Sequence, residues 1–192
     1  MRRLFCLIVL YLLIGGAPVV AADWSLAAYW AKNSPDRMID ILRGLNPEMR
    51  SSYLNAMALN YRFHQGRRIH WEVEAQLVRH HGMQDHWESN AVLVARWMDF
   101  PWDRWLDTRF AFGQGFSYAW EVPPLEPRSD PEDGESAQLL NYLLMELEFA
   151  PPAPDSQWSG MIRLHHRSGV FGTFSGVEGG SNFIGLGVRY RF

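Results

Sequence analysis

Residues 69–79 read IHWEVEAQLVR, and the stretch alternates without a gap. Ile69, Trp71, Val73, Ala75 and Leu77 fall on one side; His70, Glu72, Glu74 and Gln76 fall on the other. A period of two is the period of a β-strand. The sides are unusual in weight, because few soluble strands carry so many polar groups on one face opposite so much apolar bulk. Residues 87–97, WESNAVLVARW, repeat the pattern, with Trp87, Ala91, Leu93, Ala95 and Trp97 opposite Glu88, Asn90 and Arg96. In residues 108–120, TRFAFGQGFSYAW, five aromatics (Phe110, Phe112, Phe116, Tyr118, Trp120) oppose Arg109, Ala111, Gly113, Gly115 and Ser117.

Alternation over about ten residues, large and apolar on one side and polar or tiny on the other, is what a transmembrane β-strand requires. Lipid faces the large side. A small lumen has room for glycine and for charges that pair with one another, which accounts for Gly113, Gly115, Gly185 and Gly187 on the narrow face. Extending the phase predicts strands at 24–31, 53–63, 69–79, 87–98, 107–120, 138–149, 158–168 and 181–192. The fold class expected is all-β, an eight-stranded antiparallel transmembrane β-barrel of outer-membrane type. Connections should alternate between short inner turns and longer outer loops, and all but HHGMQD, an outer link that is short, obey. Residues 121–137 are Pro-rich and acidic and read as an exposed loop, while Met38, Ile41, Leu42 and Leu45 fall at the spacing of a short rim helix.

The chain opens with MRRLFCLIVLYLLIGGAPVVAA, residues 1–22: two arginines, an apolar run, then small residues, as in a cleaved secretory signal. The mature barrel domain is then expected at 23–192. The single cysteine, Cys6, lies inside that signal, so a disulfide scaffold and cysteine catalysis are not expected. Eighteen Lys and Arg against 21 Asp and Glu leave a formal charge of −3, and losing Arg2 and Arg3 makes the mature chain more acidic. Nothing points to a nucleic-acid partner. A lipocalin-like barrel with its apolar side inward is the competing fold. The signal, the glycine face and the closing SNFIGLGVRYRF argue for lipid outside, since a terminal aromatic in the lipid-facing register resembles the C-terminal signature of bacterial outer-membrane barrels.

One stretch is out of keeping with its strand: RLHHRSG, residues 163–169. Phased from Trp158, Gly160, Ile162 and Leu164, the outward parity continues to His166 and Ser168, whereas Arg163, His165 and Arg167 point into the lumen. At the outer end of a strand a polar residue on the lipid face costs about 0–1 kcal/mol, against a few at mid-bilayer. Residues i and i+2 share a face at about 7 Å, within reach of an imidazole and a hydroxyl, so His166 and Ser168 form a workable base and nucleophile. A third group must orient the ring. Glu178, in the following hairpin, is the nearest carboxylate, and amides near Gly169 are candidate oxyanion donors.

This arrangement resembles the lipid A 3-O-deacylases of the PagL type. In that family His and Ser lie on the outside of an eight-stranded barrel, near the outer leaflet. The resemblance covers mainly the last 50 or so residues and implies an outer-membrane serine esterase of Gram-negative bacteria, with Ser168 as nucleophile, His166 as base and Glu178 as third member. The substrate implied is lipid A of lipopolysaccharide, among outer-membrane lipids, with no metal and no other cofactor. The family's serine is followed by asparagine; here Gly169 follows. Three other readings stay open. The protein is a non-catalytic barrel, monomer or homodimer, that stiffens the membrane or binds an external ligand through its loops, its rim histidine and serine meeting head groups; His165 and His166 are metal ligands, which their opposite faces disfavour; or HHGMQDH coordinates rather than being solvated. Inward Glu72, Glu74, Glu146 and Glu148 beside Arg96, Arg109, Arg163 and Arg189 read as a lumen ion-pair network rather than paired catalytic carboxylates.

Overall fold

The computed structural model describes residues 23–44, 46–126, 136–153 and 156–192. The signal assigned to 1–22 lies outside them, as do Leu45 and residues 127–135 of the Pro-rich stretch. The chain forms eight strands: β1 Trp24–Ser34, β2 Ser52–Gln65, β3 Ile69–Gly82, β4 Trp87–Trp97, β5 Asp107–Ala119, β6 Leu139–Ala150, β7 Trp158–Ser168 and β8 Gly180–Arg191, with one short helix, α1 Met38–Leu42, after β1. Each strand pairs antiparallel with the next and β8 closes on β1, making a closed all-β barrel.

The alternation in the sequence becomes the wall. Trp71, Val73 and Leu77 on β3 and Trp87 and Leu93 on β4 stand exposed, while Glu72, Glu74, Gln76, Glu88, Asn90 and Arg96 between them are buried. A barrel with its hydrophobes outside and its charges inside is the reverse of a lipocalin. The outer surface carries two aromatic belts, as lipid interfaces favour. Near one mouth Trp24 meets Tyr61 at 4.8 Å, and Trp158 meets Tyr190, which meets Phe192. Toward the other, Trp30 stacks on Tyr53 and Trp87 approaches Trp120. Replacing Leu93 by arginine puts a charge in the middle of this surface; the expected cost is about 2–4 kcal/mol. Reversible urea unfolding from lipid vesicles measures it, and an unchanged midpoint would remove that face from the bilayer.

The lumen is packed. A Cβ on Gly113 would sit 2.8 Å from Leu144 Cγ and 2.9 Å from a Val92 methyl, so only glycine fits there. Below that level Arg96 reaches Glu72, Glu146 and Glu148 at 2.8–3.0 Å, and Arg163 holds Glu74 in a two-point contact at 2.8 and 2.9 Å while also reaching Glu146. Arg189 joins Glu146, and Arg109 and Arg191 complete the shell around Glu148. The expected ion-pair network is therefore present, and among the described residues these side chains fill the lumen.

Candidate functional site

Across β6, β7 and β8 the register sets two rows on the outer wall. Asn141 pairs with Ser168, and Ser168 with Gly180; one step down the barrel, Leu143 pairs with His166, and His166 with Asn182. Asn141, His166, Ser168 and Asn182 all have lipid-side parity. From Trp158 in the lower aromatic belt to His166 is eight residues, about 26 Å along the strand and about 20 Å in height at the usual tilt, so the group sits toward the upper edge of an apolar band about 25 Å tall.

His166 and Asn182 are brought together. Asn182 Oδ1 lies 2.6 Å from His166 Nδ1, while Asn182 Nδ2 donates to the Asp36 carbonyl at 2.7 Å, just before α1. With its amide nitrogen spent on a carbonyl, Asn182 presents oxygen to the ring. His166 Nδ1 is then the protonated nitrogen and Nε2 carries the lone pair. A second asparagine completes the row above: Gln114 Nε2 donates to Asn141 Oδ1 at 3.4 Å, and Asn141 is buried beside Ser168.

Ser168 shares the face of His166 without a hydrogen bond to it; its Oγ accepts the Val170 N–H at 3.0 Å, leaving its proton to donate. Apo catalytic pairs are often looser than they become with substrate. Glu178 is exposed in the β7–β8 loop and makes no hydrogen bond or ion pair among the described residues; the group on His166 Nδ1 is Asn182 instead. The amides near Gly169 are also engaged, since Gly169 N–H donates to Gly179 O and Val170 N–H is the one bound to Ser168. A side chain at Gly169 is impossible in this hairpin: its Cβ would fall 1.7 Å from Val177 O. Asparagine could not stand there without rebuilding the turn.

The loop that follows, residues 169–179, folds back over this wall. Val170 and Phe171 both hold left-handed φ values, 49° and 54°, a strained conformation for non-glycine residues. The turn brings Phe174 to 6.2 Å from Phe116, the β5 neighbour of Asn141, and leaves Phe171 almost fully exposed. Behind the wall, on the lumen side, Glu126 reaches Arg167 at 2.5 Å and accepts from Ser181. Burial pushes the Glu126 carboxyl above its ordinary value against the pull of Arg167. A groove of about 510 Å³ on the outer wall, lined by Ala28, Trp30, Met57, Leu77, Trp87 and Leu186, starts four residues below Asn182 on the same face of β8.

The strand phase singles out His166 and Ser168 as candidates, and the structure adds Asn141 and Asn182 beside them. Their signal was present, because an amide on the lipid-facing parity is out of place for the same reason as His166.

No protein-family model matches the chain, and no curated protein matches its sequence. Among solved structures it is similar to the outer membrane enzyme PagL, with a TM-score of 0.60 and 10% identity over 88% of this chain and 99% of that one. It is also similar to Neisserial surface protein A, with a TM-score of 0.51 and 10% identity over 88% and 96%. At such identity the likeness is one of fold, that of eight-stranded outer-membrane barrels.

Proposed function

We propose that this chain is an outer-membrane serine esterase that removes an ester-linked acyl chain from lipid A in the outer leaflet of a Gram-negative bacterium. The observation that carries the reading is the Asn182–His166 pair at 2.6 Å on the lipid side of the wall, two residues from Ser168. A histidine held by a carboxamide is a working variant of the nucleophile–His–acid arrangement, in which the third member fixes tautomer and orientation. The apolar wall below supports an acyl-chain substrate.

In this reading Ser168 Oγ attacks the ester carbonyl carbon as its proton passes to His166 Nε2. The carbonyl oxygen becomes an oxyanion, for which the carboxamide of Asn141, the cross-strand partner of Ser168, is the assigned donor. Collapse breaks the acyl–oxygen bond, and the leaving sugar alkoxide takes the proton from His166. Water then attacks the acyl-serine, giving its proton to His166, which returns it to Ser168 as the fatty acid leaves. Charge needs no external carrier at any step.

Mass spectrometry of lipid A from Gram-negative cells with and without the protein tests this: one acyl chain should be missing when it is produced. Unchanged acylation would reject the enzyme. Asn182→Ala should slow acyl release by about 10²-fold or more while the barrel folds, as loss of an orienting group does; full activity in that variant would return the role to Glu178. A second reading, a non-catalytic barrel presenting its loops, is favoured by the Val170 amide on Ser168 Oγ, and it expects identical lipid A in both cells.

A further inference from the structure

Among the described residues, every buried lumen glutamate but one has an arginine partner: Glu72, Glu74, Glu126, Glu146 and Glu148 are so paired. Glu88, wholly buried, meets histidines only: His80 Nε2 at 2.8 Å and His165 Nε2 at 3.1 Å. A buried carboxylate without a positive partner is strongly unfavourable, so this position needs either a proton on an imidazole or a cation.

His80 Nε2 is in hydrogen-bond contact with Glu88 Oε2 at 2.8 Å, which either occupant allows; the second histidine separates the two. His165 Nε2 and Glu88 Oε1 are 3.1 Å apart and fully buried, yet neither has a hydrogen-bond partner, because they are not aligned on each other. A ring N–H seeks an oxygen on its own axis. Two ligands of one metal ion instead stand about 3 Å apart with the ion, bonded at about 2.0–2.1 Å, on the nitrogen's axis.

The outer groups on His165 are arranged as a metal-bound imidazole requires. His165 Nδ1 faces Tyr29 Oη at 2.8 Å and Tyr142 Oη at 3.0 Å. Tyr29 spends its own proton on Gln76 Oε1, so it accepts from Nδ1–H and leaves His165 Nε2 as a lone pair. At His80, Gln84 Nε2 faces Nδ1 at 2.9 Å and Gln84 Oε1 is unpartnered; turning the carboxamide over gives Oε1 the Nδ1–H to accept and leaves His80 Nε2 as a lone pair. His86 stacks on His80, and Phe183 packs edge-on against His80 and His165, walling the cluster with rings.

We propose that His80, Glu88 and His165 bind a divalent d-block cation of the zinc class inside the barrel near its outer mouth. Their ligand atoms lie within 4.8 Å of one another. Two imidazoles and one carboxylate suit zinc and its neighbours rather than magnesium or calcium, and leave a fourth position for water. The ion ties β3 and β4 to β7 across the lumen, directly behind the strand that carries His166 and Ser168. It is independent of the esterase reading.

The full mature chain, refolded into detergent micelles with Zn²⁺ and desalted, should retain about one ion per chain. X-ray absorption of that sample should show two imidazoles and a carboxylate oxygen at about 2.0–2.1 Å. Glu88→Gln and His165→Gln should each weaken Zn²⁺ binding by about 100-fold or more, whereas His81→Ala, on the outer wall against Tyr53, should bind as the parent does. Where a ligand variant fails to fold, the absorption spectrum of the parent decides. Retention below about a tenth of an ion per chain, a coordination sphere without two imidazoles, or undiminished binding by folded Glu88→Gln overturns the site and leaves Glu88 held by a proton.

Discussion

On the proposed esterase reading, Ser168→Ala should abolish acyl release and leave the barrel standing. Removing a serine nucleophile costs on the order of 10⁶-fold in turnover, which reads as zero on lipid A. The same change costs little in stability, because Ser168 gives up one hydrogen bond, from the Val170 amide, worth about 1 kcal/mol. The two effects are therefore separable: lipid A should regain its full mass in cells producing the variant, and the unboiled protein should keep its fast mobility in detergent gels. His166→Ala should behave alike, since without the base the hydroxyl keeps its proton. Acyl loss that persists in folded Ser168→Ala would remove this serine from the chemistry and the esterase reading with it.

Arg163→Ala should be the most destabilising single change in the lumen. The guanidinium is fully buried, holds Glu74 at two points and also bonds Glu146; taking it away leaves two carboxylates short of a partner. Breaking a buried ion pair from one side costs about 3–5 kcal/mol, most of it the penalty of the charge left behind. Arg62→Ala is the comparison. Its pair with Asp23 at 3.1 Å lies at the exposed end of the barrel and is worth about 0.2–1 kcal/mol. Urea unfolding in micelles should shift strongly for Arg163 and barely for Arg62. Equal small shifts would mean that water reaches the network and screens it.

The strands were legible because the bilayer makes a hard demand. Lipid cannot satisfy a charge, so each strand writes its two faces in alternating letters, and all eight segments read from that alternation match observed strands to within a few residues. Phase alone also placed His166 outward and His165 inward. The partners of those histidines were not legible. A hairpin brings Glu178 near in sequence and a carboxylate is the usual third member, but the β7–β8 loop turns through left-handed Val170 and Phe171 and carries Glu178 into the open. Asn182 takes the place through register, a cross-strand pairing with His166 that depends on how many residues the loop consumes. The lumen histidines follow the same logic at longer range. HHGMQDH looks like a solvated link, yet His80 turns inward and shares Glu88 with His165, 85 residues away along the chain and across the lumen.

Sequence by itself determined the number of strands, the side each residue faces and the separation of lipid wall from charged interior, because these follow from a period of two and from a solvent that punishes polarity. Which side chains meet was decided only by the closed barrel. Closure joins β8 to β1 and sets each strand's stagger, and that stagger, rather than spacing along the chain, places an asparagine on a histidine and a lone carboxylate between two imidazoles.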